Sequence, residues 1–362
     1  MPGPFTGTVT DAETNEPIAN VSVSDGRNVV KTDENGAYTL PGYSKSRFVT
    51  VTTPAGYWTE NYYIPVTKDR ETYDFRLDKS EKTAQADHSF LQISDSEIGA
   101  KGVGAWIEHV RDTVKETDPA FLIHTGDICY EDGLKQHIKD MNTENMGVPV
   151  RYVIGNHDYV AGKYGEALFE SIYGPVWYSF DVGNVHYVVT PFQTGADYAS
   201  GYNKNDRWKW LENDLANVEP GMKVVMFNHT KAPSDDYVLS YGLKKLDLKE
   251  HDLIAWVYGH YHYNYITETD GVLNISTGRP DCGGIDSSAS GSRLISITAN
   301  GQVSTQMYYY DFRATAGFRM GRNWSAQLEG NLLFADPLAV GNQIFAATVD
   351  DDYPRTCGVY SL

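Results

Sequence analysis

Residues 121–133, FLIHTGDICYEDG, decide how the rest of the chain is read. The apolar run Ala120 to Ile123 leads through His124-Thr125 to Gly126-Asp127, and an aromatic follows at Tyr130. A buried strand that ends in glycine and then a carboxylate places an acid beside a core. That is costly unless the acid has a partner.

The same grammar recurs along the chain. SFLQISD (89–95), VPVRYVIGNHD (148–158), KVVMFNH (223–229) and LIAWVYGHYH (253–262) are apolar strands that each end in a polar cluster. Between the first two, Val103, Trp106, Ile107, Val110 and Val114 recur at helical spacing, and Asp118-Pro119 stops that helix. Strands alternating with helices predict an α/β domain, and such sheets carry their sites at the strand ends.

The flanks differ in texture. Residues 5 to about 78 are short β-branched runs (Thr8–Thr10, Val21–Ser24, Phe48–Thr53) separated by Asp25-Gly26 and Asn35-Gly36 turns. They predict a small all-β sandwich over 1–80, followed by a polar linker at 79–87. The α/β domain is expected over 88–312. A β-rich tail over 313–362, with Gly and Asp-Pro turns, follows it. The fold class expected is thus α/β, a two-sheet α/β sandwich behind a small all-β sandwich, with a short β-rich C-terminal segment.

Composition narrows the function. Hydrophobic residues at 41% and charged residues at 22% are those of a soluble globular protein. The 48 acidic residues exceed the 30 basic ones and leave a formal charge of -18. No nucleic-acid binding is expected from that field, and anionic membrane surfaces are disfavoured as well. An anionic substrate would need local positive charge, which a bound cation can supply. Cys129, Cys282 and Cys357 form neither a disulfide framework nor a CxxC metal pattern. No apolar run is long enough to span a membrane. MPGPFTGTVT is not a signal peptide, so the protein is expected to be cytoplasmic or to have lost a leader.

Five strand-end clusters remain: Asp95-Ser96-Glu97; Gly126-Asp127-Ile128-Cys129-Tyr130; Gly155-Asn156-His157-Asp158; Asn228-His229-Thr230; Gly259-His260-Tyr261-His262. One strand-end Asp is ordinarily a helix cap, and one buried His a satisfied core residue. Five together are not explained that way. Carboxylates, imidazoles and an amide oxygen suit borderline divalent or ferric ions. Two cations about 3.5–4 Å apart need a bridging carboxylate, and Asp127, on a central strand, is the natural bridge.

At this point the motifs GDICY, GNHD, NHT and GHYH, in that order, are similar to those of the calcineurin-like metallophosphoesterase superfamily over residues 90 to about 310. YGPVWYSFDVGNVHYVV and RWKWLENDL resemble that superfamily's stretch between GNHD and the next ligand strand. The segment GTVTDAETNEPIANVSVSDG, with TDENGAYTL, resembles the carboxypeptidase-regulatory-like sandwich of secreted bacterial proteins. GGIDSSASGSR is similar to secreted bacterial members carrying that module. The tail resembles one blade of a quinoprotein-type propeller repeat, which implies that the chain continues.

The resemblance implies a phosphoester substrate and hydrolysis of phosphomonoesters or phosphodiesters by metal-bridged hydroxide. Its cofactors would be two metal ions, drawn from iron, manganese and zinc. Asp95, Asp127 and His262 would hold the first metal; Asn156, His229 and His260 the second; Asp127 would bridge. His157 would sit at the leaving-group oxygen with Asp158 orienting it. A secreted or periplasmic location is implied as well.

One departure stands out: most of the superfamily reads Asp-x-His where this chain reads Asp95-Ser96-Glu97. Glu97 could supply the missing donor. Tyr130 could do so instead, as in the GDxxY motif of purple acid phosphatases. If neither does, the chain is a non-catalytic secreted binding module with a degenerate metal site.

Other residues are given bland expectations. Cys129, His124 and His186 are read as structural. Asp197, Tyr198, Tyr202 and Asn203 are read as loop residues able to line a cleft. Arg279 and Arg293, near Asp281 and Asp286, are read as surface partners of acids. The β-sandwich is read as a separable spacer.

Overall fold

The computed structural model describes residues 3–97, 104–160, 162–191, 199–280 and 290–311, and four further strands between 314 and 361. The first eight strands are β1 (Phe5–Asp11), β2 (Ser22–Ser24), β3 (Val29–Lys31), β4 (Ala37–Leu40), β5 (Phe48–Val51), β6 (Tyr57–Trp58), β7 (Tyr63–Pro65) and β8 (Phe75–Lys79). They form two sheets, ordered β4-β1-β8-β6 and β3-β2-β5-β7. Alternation sets their inner faces: Phe5 and Val9 of β1, Val23 of β2, and Phe75 and Leu77 of β8 are buried.

Where a linker was expected, a short helix α1 (Glu81–Ala84) forms. Ser80 caps it through the Thr83 amide, and the buried Thr83 hydroxyl donates to the Tyr57 carbonyl at 3.0 Å. The segment is therefore pinned between the two modules.

The α/β region continues with β9 (His88–Ile93), α2 (Gly104–Thr117), β10 (Phe121–His124), α3 (Tyr130–Asp140), α4 (Thr143–Met146) and β11 (Val150–Tyr152). Next come α5 (Ala167–Tyr173), β12 (Tyr178–Val182), β13 (Val185–Val189), α6 (Lys204–Leu215), β14 (Lys223–Phe227), β15 (Val238–Tyr241) and β16 (Lys244–Asp247). It closes with β17 (Leu253–Tyr258), β18 (Tyr265–Thr269), β19 (Val272–Ser276), β20 (Ser290–Ile297) and β21 (Val303–Asp311).

One sheet is ordered β11-β10-β9-β20-β21, the other β12-β13-β14-β17-β19-β18. Strands β9, β10 and β11 run parallel, as do β13, β14, β17 and β19. The sheets face each other across one apolar layer. Phe90 and Phe121 of the first meet Tyr187 and Phe227 of the second, with Phe121 and Tyr187 centroids 5.0 Å apart. Residues of opposite parity, such as Leu122 and Met226, join the helix residues Trp106, Val110 and Leu211 in the outer core. This two-sided burial explains why the strands read as continuous apolar runs.

The β-sandwich is not a loosely tethered spacer. Its core is continuous with the layer between the α/β sheets. Arg151, buried on β11, lies 3.7 Å over the Trp58 ring and 4.1 Å over Tyr62, and donates to the Thr59 carbonyl at 3.2 Å. Arg47 pairs with Glu170 at 2.6 Å and Glu166 at 3.1 Å, and Lys45 with Asp206 at 2.5 Å. The polar sequence of 79–87 conceals this, because the contacts lie far from it along the chain.

After β21, the strands β22 (Ala314–Arg319) and β23 (Ser325–Gly330) pair, as do β24 (Ile344–Val349) and β25 (Thr356–Ser361). Among the described residues these form two two-stranded sheets.

Candidate metal centre

Strands β9, β10, β14 and β17 end at Asp95, Asp127, His229 and His260, and β11 leads to the turn of Asn156. The shared direction of these strands gathers the five polar clusters at one end of the sheets. Backbone bonds interlock them: Asp95 N–H donates to the Gly126 carbonyl at 2.9 Å, and Glu97 N–H to the Asp127 carbonyl at 3.2 Å. Asp95, Asp127, His260 and His262 all adopt left-handed backbone conformations, with φ of 50°, 55°, 71° and 58°. Such residues cost on the order of 1–3 kcal/mol each, and they concentrate where surrounding structure holds a site in place.

Glycine makes room here. A Cβ on Gly155 would collide with the Asp127 carboxylate, and one on Gly259 with Ser94 and the Asp95 carboxylate.

The donors converge. Asp127, His229 and His260 each offer a ligand atom, and these atoms lie within 4.8 Å of one another. His229 Nδ1 faces the Thr125 carbonyl at 2.8 Å, which fixes the ring and leaves Nε2 3.0 Å from Asp127 Oδ2. His260 Nδ1 lies 3.2 Å from His229 Nε2. Asp95 Oδ1 lies 4.0 Å from His229 Nε2 and 3.4 Å from His262 Nε2. Asn156 supplies a buried side-chain oxygen that has no hydrogen-bond partner. A buried acceptor left this way costs about 1–3 kcal/mol unless a ligand takes it. The residues present thus fit a pair of borderline cations.

The local field agrees. Burial disfavours a charged His229, but Asp127 and Asp95 override it and hold the imidazole up at about 9. Burial, then His229, pushes His260 down to about 4. Burial likewise opposes a charged His262, yet Asp95 and Glu97 raise it.

His157 and Asp158 need separate treatment. The His157 amide donates to Asp127 Oδ1 at 2.9 Å, so the GNHD turn is anchored to the central carboxylate. Its Nδ1 has no partner. The expectation that Asp158 orients this ring is not met. The Asp158 carboxylate accepts from the amides of Gly155 (2.8 Å), Cys129 (2.8 Å) and Asp127 (3.0 Å). It ties two strand-end loops together from behind, with its pKa raised by burial and then by Asp127.

Tyr130 also departs from expectation. It opens α3 and is 59% exposed, with its ring 5.4 Å from that of His157. Asp95, Asp127 and His229 are by contrast buried. Its placement beside His157 at the rim counts against a phenolate ligand. Glu97 occupies the place of the missing histidine: Oε1 lies 3.4 Å from His262 Nε2, and Oε2 pairs with Arg279 Nη2 at 2.8 Å. Arg279 was read as a surface partner, but it serves this carboxylate. The only sequence signal for that pair was the broken Asp-x-His pattern.

The remaining candidates are structural. Cys129 is buried, and burial with four nearby carboxylates pushes its thiol far up, away from reactivity. His124 bonds Ser96 Oγ at 2.8 Å and accepts from the Gly126 amide. His186 lies between Asp181 (2.6 Å) and Asp214 (3.0 Å). Arg293 donates to Thr277, Thr305 and the Ser276 carbonyl. Tyr202 donates to Glu170, and Asn203 caps α6. Asp197, Tyr198, Asp281 and Asp286 lie outside the described residues.

Residues 88–264 match the family described as calcineurin-like phosphoesterase, and residues 3–80 match its companion, the N terminal of calcineurin-like phosphoesterase. No curated protein matches the sequence. Similar solved structures include the GAP50 anchor of the inner membrane complex of Plasmodium, at 15% identity and a TM-score of 0.45 over 67% of this chain and 89% of that one. A dimetal phosphatase from Danio rerio is 13% identical, with a TM-score of 0.41 over 62% of this chain and 99% of that one. An archaeal phosphodiesterase is 15% identical, with a TM-score of 0.32 over 61% and 99%.

Proposed function

The chain belongs to the calcineurin-like phosphoesterase family, and from that premise we propose that it hydrolyses phosphomonoesters or phosphodiesters with two metal ions. The observation that carries this reading is the group of buried Asp127 and His229 with half-buried His260, together with the unpartnered Asn156 oxygen. Asn156, His229 and His260 would hold one ion and Asp95, Glu97 and His262 the other, with Asp127 shared. Bound there, the ions supply Lewis acidity toward the phosphoryl oxygens and activate water at neutral pH.

The chain's own residues do the rest. Thr125 holds the His229 ring in the tautomer whose Nε2 faces inward. Arg279 steadies Glu97 and screens part of the acidic end from an anionic substrate. His157, anchored through its amide to Asp127, would give a proton to the leaving-group oxygen. The alternative, a non-catalytic binding module, would have no use for that unsaturated histidine.

Metal analysis of protein purified without chelators, with 4-nitrophenyl phosphate compared against its bis ester, tests the proposal. About two ions per chain and hydrolysis of at least one ester are expected. Protein that neither binds metal nor turns over either ester would refute it. Iron loading gives a side test: colour that bleaches in Tyr130→Phe would restore the phenolate ligand.

A further inference from the structure

Two backbone segments leave the metal end and border a second cavity of about 290 Å³. One is Tyr159, directly after the GNHD turn. The other is Pro191, whose carbonyl accepts from Asn228 Nδ2 at 3.1 Å beside His229. Trp177 and Tyr202 form an aromatic wall, with ring centroids 4.2 Å apart. Lys204 and Arg207, from the first turn of α6, supply the charge.

Arg207 is unusual in this acidic chain. Its neighbours Lys45 and Arg47 are matched to Asp206, Glu166 and Glu170. Among the described residues the Arg207 guanidinium has neither a hydrogen bond nor an ion pair. It is half-buried, and burial pulls its pKa down to about 10, so it remains a cation at neutral pH. The planar fork of a guanidinium suits carboxylate or phosphate oxygens. Lys204 stands exposed at the rim and adds a second positive charge.

We propose that Arg207 and Lys204, with the Trp177–Tyr202 wall, hold a second anionic group and the flat apolar portion of the substrate. The substrate class is therefore a nucleotide-like phosphoester rather than a simple phosphomonoester. This rests on the phosphoesterase reading, which puts the scissile phosphorus at the metal end.

The test separates the two. Protein stripped of metal by a chelator is titrated with AMP and with adenosine, following tryptophan fluorescence. Chelation removes the ions that would hold phosphate at the reaction end, and the Arg207 variants read the cavity apart from that end. AMP should bind wild type at least about tenfold more tightly than adenosine, one tenfold step being what a single charged contact supplies. Arg207→Gln should lose that preference and Arg207→Lys keep part of it. Rising salt should shrink it in wild type, a reading that stands even if a variant fails to fold. Equal binding of AMP and adenosine by wild type, or a preference that survives in Arg207→Gln, overturns the inference. Hydrolysis of 4-nitrophenyl phosphate by metal-loaded wild type without an AMP preference would sink the cavity alone. An AMP preference without any hydrolysis would sink the phosphoesterase reading and leave the anion site.

Discussion

Two buried clusters of ionisable groups sit in the same α/β region and differ in one respect. At His186, both ring nitrogens are answered: Asp181 and Asp214 take them, and Ser179 donates to Asp214 at 2.7 Å while itself bonding Thr52 of the β-sandwich at 2.9 Å. At the metal end, Asn156 Oδ1 and His157 Nδ1 have no partner, and two histidine nitrogens face each other at 3.2 Å. Saturation marks the first as architecture. Lack of it marks the second as a place that awaits a ligand. Neither histidine count nor burial separates them, since His186 and His229 are both buried on α/β strands or at their ends.

The largest effect that would break this contrast is expected at Asp127. Asp127→Asn should cost bound metal and lower turnover by at least about 10³-fold, since losing one electrostatic stabiliser alone costs about 10²–10³-fold. In the metal-free protein it also breaks the 3.0 Å pair with His229, so some stability is lost there as well. A variant that keeps its full complement of metal would make Asp127 architectural after all. Next, His157→Ala should lower turnover roughly 10²–10⁴-fold with both ions retained, as read by metal analysis. Loss of an ion in that variant would reassign His157 as a ligand.

At the saturated cluster the response should be reversed. Asp214→Asn should destabilise the fold by about 3–5 kcal/mol in denaturant melts, the cost of breaking a buried pair, while metal content stays constant. At the metal end, Glu97→Ala should weaken one of the two ions by at least about 10–100-fold, the loss that even a supporting contact to a metal ligand causes. Two ions held with unchanged affinity would leave Glu97 a mere partner of Arg279.

The smallest effect is a pH dependence. Burial disfavours His186 as a cation, but Asp214 and Asp181 raise its pKa to about 10, above the ordinary 6.5. Its stabilising contribution is thus complete below about pH 6.5 and fades as the pH rises toward 10. The melting-temperature gap between wild type and His186→Asn should narrow over that range. A constant gap would mean that His186 is neutral in the fold.

The sequence by itself determined the strands, their two-sided burial and the polar clusters at their ends, because period and turn chemistry are local. The resemblance of its strand-end motifs to a known family also implied that Asp127, His229 and His260 belong together, and these three do converge. What only the tertiary structure decided concerns direction and distance between segments far apart in the chain. Asp158 turns its carboxylate to three backbone amides instead of to the neighbouring His157 ring, Tyr130 rolls outward with the first turn of α3, and Glu97 finds Arg279 across 182 residues of chain. The union of the β-sandwich with the α/β core is of the same kind. Arg151 and Trp58 carry no mark of each other in sequence, and only packing brings a guanidinium over an indole.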